Sequence, residues 1–233
     1  MLISGKNALR AAIFNLRPIY NVYILSGFTD KEFIKLLDDK KIKYKFVDKE
    51  EIYKIYGDKN NQGIVSEVLD YEYSDIHDIL SKESSKLVIL DELSDPHNLG
   101  SIIRTADAFK YDGIIFQDNN QVSLNKTVVR VSAGSIERVK IFKVTNINQT
   151  ILLLKKNDYF IVGTALEATT NFDKFDYPIK TAVVMGSEGF GLRHLVKRNC
   201  DLLVKIPMSN TLNSLNVSVA SGLIMYEINK NNI

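Results

Sequence analysis

The segment Lys86-Leu87-Val88-Ile89-Leu90-Asp91-Glu92-Leu93-Ser94-Asp95-Pro96-His97-Asn98-Leu99-Gly100-Ser101-Ile102-Ile103-Arg104-Thr105-Ala106-Asp107 reads as a strand, a turn and a helix. Leu87 to Leu90 is an unbroken β-rich apolar run, the pattern of a strand covered on both faces. Pro96 and its polar neighbours interrupt it, and Ile102, Ile103, Ala106 and Phe109 then recur at helical spacing. A buried strand feeding a helix is half of a βαβ unit, so a parallel sheet with crossover helices is predicted. Similar apolar runs follow at 113–116, 139–144, 160–162, 182–185 and 202–206, with helical stretches at 99–109, 147–155 and 192–197. A last helix over 214–229 carries Val217, Ala220 and Ile224 on one face and is expected to dock on the sheet.

Working back from residue 86, the stretch 71–85 is polar and mixed and reads as a linker with room for one short helix. Residues 1–70 alternate short elements: helices at 6–14 and 31–37, strands at 22–25, 44–47 and 64–68. That alternation predicts a small α/β domain ahead of the larger one at 86–233.

Composition narrows the class. The chain has 233 residues, 45% hydrophobic and 25% charged, which excludes wholesale disorder. No apolar run approaches the roughly 18 residues of a membrane-spanning helix, and Met1 to Lys6 does not resemble a secretory signal. Cys200 is the only cysteine, so no internal disulfide can form, which fits a reducing cytoplasm, and a packing role is expected for it. No metal-ligand cluster is visible. A net charge of +2 does not announce a nucleic-acid binder, so any positive field must be local.

Three segments carry residues that packing does not require. In the first, Asn98 and Arg104 follow a buried strand, where parallel sheets place ligands. Asn98 as a helix cap and Arg104 paired with Asp107 would account for them structurally. The second, Val183-Val184-Met185-Gly186-Ser187-Glu188-Gly189-Phe190-Gly191-Leu192, lets backbone approach a ligand, but its order is not the dinucleotide fingerprint. In the third, Ile206-Pro207-Met208 leads through a polar loop to Ser214-Leu215-Asn216-Val217-Ser218-Val219-Ala220. Ser214 can cap the final helix, whereas Asn216 is a poor interior helix former.

In this order and spacing the three segments resemble the signature motifs of the SpoU (TrmH-type) RNA ribose 2′-O-methyltransferase family. Residues 4–12 are similar to the start of that family's small substrate-binding domain, and Val131-Ser132-Ala133-Gly134-Ser135 also matches. Within the family the chain resembles the bacterial branch that methylates a guanosine of 23S ribosomal RNA.

The resemblance implies a catalytic domain with a deep trefoil knot, an L30e-like N-terminal domain, and a homodimer formed through the catalytic domain. It implies S-adenosyl-L-methionine as methyl donor, with Gly163, Thr164, Gly186, Ile206 and Leu215 around it. Asn98, Arg104, Glu188, Ser214 and Asn216 become the catalytic cluster. The family proposal makes Arg104 the general base, yet lowering a guanidinium pKa from above 12 to near 7 would cost on the order of 7 kcal/mol. Arg104 is therefore expected to grip the target's phosphate, with the proton leaving through that phosphate, through water, or only transiently through Arg104. RNA contact is expected at Lys6, Arg10, Lys126, Arg130 and Arg138. A tRNA ribose methyltransferase and a catalytically silent RNA-binding assembly factor are the alternatives.

Overall fold

The computed structural model describes residues 1–58, 60–118, 123–187, 189–209 and 214–230. The chain folds as two compact units, one formed by residues 1–72 with 124–138, the other by 73–123 with 139–233.

The first unit begins β1 (Leu2–Ser4), α1 (Lys6–Phe14), β2 (Ile19–Leu25), α2 (Lys31–Asp39), β3 (Lys45–Val47), α3 (Lys49–Tyr56) and β4 (Ile64–Val68). Its mixed sheet runs β1-β4-β2-β3, antiparallel except for the β2/β3 pair. Asp30 and Asp48 start α2 and α3 by accepting from backbone N–H groups of the first turn. Leu9, Val22, Ile24, Phe33, Leu37 and Ile64 form its main core.

The second unit starts earlier than the apolar pattern suggested. Residues 71–85, expected as a linker, contain α4 (His77–Leu80), whose Ile79 is fully buried in the large core, and the start of β5 (Ser85–Leu90). Next come α5 (Pro96–Ala108) and β6 (Gly113–Gln117). The chain then returns to the first unit through α6 (Lys126–Val131) and a short 3-10 turn at 135–137. This excursion divides the region 86–233 that sequence patterning treats as one block. Its fastening is physical: a Cβ at Gly134 would lie 2.6 Å from the Ala11 Cβ, and Arg17 pairs with Glu137 at 2.5 Å, both side chains under a tenth exposed.

The remainder is β7 (Lys140–Val144), α7 (Ile147–Lys155), β8 (Phe160–Thr164), β9 (Thr170–Asn171), β10 (Lys180–Met185), α8 (His194–Asn199), β11 (Leu202–Lys205) and α9 (Val217–Asn229). Seven strands make one sheet ordered β7-β6-β5-β10-β8-β11-β9, and every neighbouring pair is parallel. Burial on both faces explains the continuous apolar runs. On one face Leu87, Ile89, Ile115, Phe142, Ile161 and Val184 pack against Ile147, Ile151 and Leu154 of α7 and Val196 of α8. α5 and α9 pack against each other, and Gly222 lies beside the Thr105 methyl. Among the described residues no helix is long and apolar enough to cross a membrane.

Candidate active site

The three segments singled out in the sequence converge at the carboxyl ends of the parallel strands. The Asp95 side chain accepts from His97 N–H at 2.9 Å, and Pro96 occupies the first turn, so α5 starts there instead of at Leu99. Asn98 thereby falls inside the first turn, 6% exposed. At the other segment Asn216 caps α9: its Oδ1 accepts from Ser218 N–H at 3.0 Å and from the Ser218 hydroxyl at 2.6 Å. With that oxygen committed to the helix, the Asn216 Nδ2 donates to Asn98 Oδ1 at 3.0 Å. One side chain thus starts a helix and orients a buried amide 118 positions away.

Arg104 lies on the exposed side of α5. Glu188 lies outside the described residues.

A cavity of about 380 Å³ opens beside Asn216. Thr164 at the end of β8, Met185 at the end of β10, Ile206 beyond β11, and Ser214, Leu215 and Val217 contribute to its walls. Thr164, Ile206 and Leu215 are therefore lining residues, together with Ser214 from the proposed catalytic set. Gly163 and Gly186 do not line it; they let its walls close up. A Cβ at Gly163 would stand 2.7 Å from Cys200 Sγ and from Leu203 Cδ2. A Cβ at Gly186 would stand 2.2 Å from the carbonyl carbon of Gly191, inside the turn closed by Ser187 and Gly191, which exchange two backbone hydrogen bonds. Gly191 itself has φ +65°, a conformation that favours glycine.

Residues without a sequence signal brace or line the walls. Asp91, fully buried, accepts from the Arg193 backbone N–H at 3.0 Å and from its Nε at 2.7 Å, and Arg193 also pairs with Glu92 at 3.3 Å. This ties the loop after β5 to the loop after β10. Glu167 and Lys197 pair at 2.5 Å on the lining of the cavity, and the ammonium holds the Glu167 carboxyl below its usual range. Burial pushes the Cys200 thiol up to about 12, consistent with packing.

The basic residues expected to meet RNA lie in the first unit, engaged with protein groups. Lys6 pairs with Asp30 at 2.5 Å, Arg130 with Asp58 at 3.5 Å, and Arg10 sits 5.8 Å from the Phe33 ring centre. Lys126 donates to the Tyr56 carbonyl at 3.3 Å and covers that ring, and Arg138 donates to Ser135 Oγ at 3.4 Å.

The site is a polar cluster of amides and hydroxyls against a small-ligand cavity at the edge of a parallel sheet. Residues 85–226 match the SpoU rRNA methylase family, and residues 2–74 match the RNA 2′-O ribose methyltransferase substrate-binding family. A relative from Staphylococcus aureus, named to the TrmH family of tRNA/rRNA methyltransferases, is 39% identical over 97% of this chain and 94% of its own. A Bacillus subtilis relative named to the same family is 36% identical over 97% and 94%. The structure of the SpoU methyltransferase AviRb from Streptomyces viridochromogenes, in complex with AdoMet, superimposes with a TM-score of 0.85 at 23% identity, covering 99% of this chain and 90% of that one. The chain belongs to the SpoU (TrmH-type) family of RNA methyltransferases. It is an enzyme of that family.

Proposed function

We propose that the chain methylates the ribose 2′-hydroxyl of a guanosine in 23S ribosomal RNA, acting in the cytoplasm as a homodimer joined through its catalytic domain. The observation that carries the reading is the Asn216–Asn98 hydrogen bond beside the cavity, because it joins the first and third signature segments into one polar cluster. The cavity suits the donor. Its size falls within the usual small-ligand range, and Met185, Leu192, Ile206 and Leu215 offer apolar walls to an adenosyl group. The opposed charges of Glu167 and Lys197 complement a zwitterionic amino-acid end. When bound, S-adenosyl-L-methionine supplies an electrophilic methyl on a sulfonium.

The chain's own residues position the acceptor. Asn98, Asn216 and Ser214 hold the ribose hydroxyls by hydrogen bonds, a role in which orientation is the main contribution. Arg104, exposed on α5, grips the target phosphate while remaining protonated, and Glu188 orients it or Asn98. The hydroxyl proton leaves to that phosphate or to water. The N-terminal domain, read as L30e-like, supplies further RNA contact, and its match to a substrate-binding family supports this. The RNA-binding part corresponds to residues 1–72 with 124–138 and the catalytic part to 73–123 with 139–233, a division supported by the family matches at 2–74 and 85–226. A trefoil knot formed by threading the C-terminal segment is supported by the strand order, in which β10 lies between β5 and β8 while α9 returns to α5. Exposed Val219, Leu223 and Tyr226 form one apolar stripe on α9 and support pairing with a second copy.

A tRNA substrate is the second reading, favoured by the relatives' names, which cover both RNAs. Transfer of radiolabelled methyl onto total RNA, with the modified nucleotide mapped, tests both. Label at a guanosine ribose of 23S RNA is expected, and label confined to tRNA would select the second reading. Absence of uptake of the donor or its demethylated product in calorimetry would overturn the proposal. An Arg104→Lys variant with full activity would exclude a bidentate guanidinium role.

A further inference from the structure

A second cleft, of about 400 Å³, adjoins the donor cavity. The two share Ser187, Gly189 and Phe190 as wall residues. We infer that this cleft receives the base of the acceptor nucleotide and that Phe190 is the platform on which the base stacks. The inference rests on the methyl-transfer reading and extends it to a residue that positions the substrate.

Phe190 is 93% exposed, more than any other large hydrophobic side chain among the described residues. Burying a phenylalanine ring is favourable, so a ring left in water at the mouth of a cleft is a surface ready to be covered. Its flanking glycines leave room for a flat ligand: a Cβ added at Gly189 or Gly191 would meet nothing within 4 Å. Position supplies the second argument. A ribose whose 2′-hydroxyl faces the methyl donor carries its base on the adjacent sugar carbon, so the base must occupy neighbouring space. The neighbouring space is this cleft.

Its chemistry selects a base over a phosphate. Glu92 and Asp95 line the cleft, with Ser94 and the buried Asn98, and among the described residues its lining has no lysine or arginine. Two carboxylates repel a phosphate but accept hydrogen bonds from the ring and amino N–H groups of a base, while an aromatic face offers stacking.

The test uses the full-length enzyme, deproteinised ribosomal RNA and labelled S-adenosyl-L-methionine, with Phe190→Ala, Phe190→Leu and Phe190→Tyr. Stacking onto an aromatic side chain is worth about 1–3 kcal/mol per base, so the Ala and Leu variants should raise KM for RNA by roughly 5- to 100-fold. Tyr should restore it to within about twofold, because it keeps the π-face. The thermal midpoint should stay at the wild-type value, since the ring has few protein contacts to lose. Wild-type KM in the Ala variant or rescue by Leu would each overturn the assignment while leaving the methyl-transfer reading intact. A wild-type enzyme that labels no RNA would overturn both.

Discussion

Replacing Gly186 by alanine is the sharpest probe of how the donor cavity is built. The new Cβ would sit 2.2 Å from the Gly191 carbonyl carbon, 2.5 Å from its oxygen and 2.5 Å from Leu192 N. All three are backbone atoms, so no rotamer change relieves the clash, and the strand-following turn has to open by more than about 1 Å to reach ordinary carbon contact distance. Overpacking of this kind costs about 1–3 kcal/mol. Opening the turn also strains the hydrogen bonds exchanged by Ser187 and Gly191, at 3.2 and 3.0 Å, each worth about 0.5–1.5 kcal/mol net. Residues 187 and 189–192 contribute to the donor cavity, so this cost falls on binding as well as on global unfolding. We expect a 10- to 100-fold weaker affinity for S-adenosyl-L-methionine, on the order of 1.4–2.8 kcal/mol, measured by isothermal calorimetry. Gly163→Ala is the control. Its new Cβ meets side-chain atoms of Cys200, Leu203 and Leu192, which can shift, so a lower thermal midpoint with less than about fivefold loss of affinity is expected. Wild-type donor affinity in Gly186→Ala would refute the reasoning.

Three further perturbations test the supporting structure. Arg17→Met removes one half of a buried pair and leaves Glu137 without its cation; a loss of about 3–5 kcal/mol in denaturant unfolding is expected, with partial recovery in the Arg17→Met/Glu137→Leu double variant. Burial lowers Lys86 to about 8, below its unfolded value of 10.5, and its ammonium donates to the Pro178 carbonyl. The folded state therefore holds fewer protons than the unfolded state between these values, so the burial penalty is full below about pH 8 and relieved as pH rises towards 10.5. Lys86→Met should abolish up to about 3 kcal/mol of that alkaline gain, read as the difference between wild-type and variant stabilities at pH 7.5 and 10; identical slopes would refute it. A double-mutant cycle on Asn98→Ala and Asn216→Ala should give a coupling of about 1 kcal/mol in thermal stability, and the Asn216 single variant should cost about 1 kcal/mol more than Asn98 because it also uncaps α9. Additive effects would mean the amide pair is not coupled.

Much of the architecture is legible because burial on both faces leaves a plain mark. Runs such as Leu87-Val88-Ile89-Leu90 and Ala182-Val183-Val184-Met185 are short and rich in β-branched residues, which favours central strands of a covered sheet. Strand order leaves no such mark, since β10 pairs with β5 across 95 positions of chain and nothing in either run names the other. The same limit hides the excursion at 124–138. Its apolar residues satisfy a helical pattern, but which core they enter depends on close contacts such as Gly134 against Ala11, which periodicity does not encode. Ile79 shows the converse: one fully buried residue in a polar stretch is too little signal to withdraw that stretch from a linker. In the site, Asn98, Ser214, Asn216 and the glycines stand out through the resemblance of their three segments to the family's motifs, whereas Arg193, Glu167 and Lys197 look like ordinary surface charges until the fold brings their partners to them.

For several site residues the structural and the functional account of a side chain are not rivals. Asn216 caps a helix with its oxygen, and because that oxygen is committed, its nitrogen has a fixed direction in which to present Asn98. Asp95 caps α5 with one oxygen and lines the acceptor cleft, and Gly186 closes a turn and thereby shapes the donor cavity. A group held by the folding of its own helix needs no separate support to stay in place, so little ordering entropy is left to lose when substrate arrives. Substitutions at these positions should therefore lower stability and turnover together, whereas Phe190, which is 93% exposed, should affect the kinetics and not the stability. Measuring both quantities across the two groups of variants separates them: parallel losses at Asn216 and Gly186 with an isolated kinetic loss at Phe190 are expected, and a stability loss at Phe190 would contradict the division.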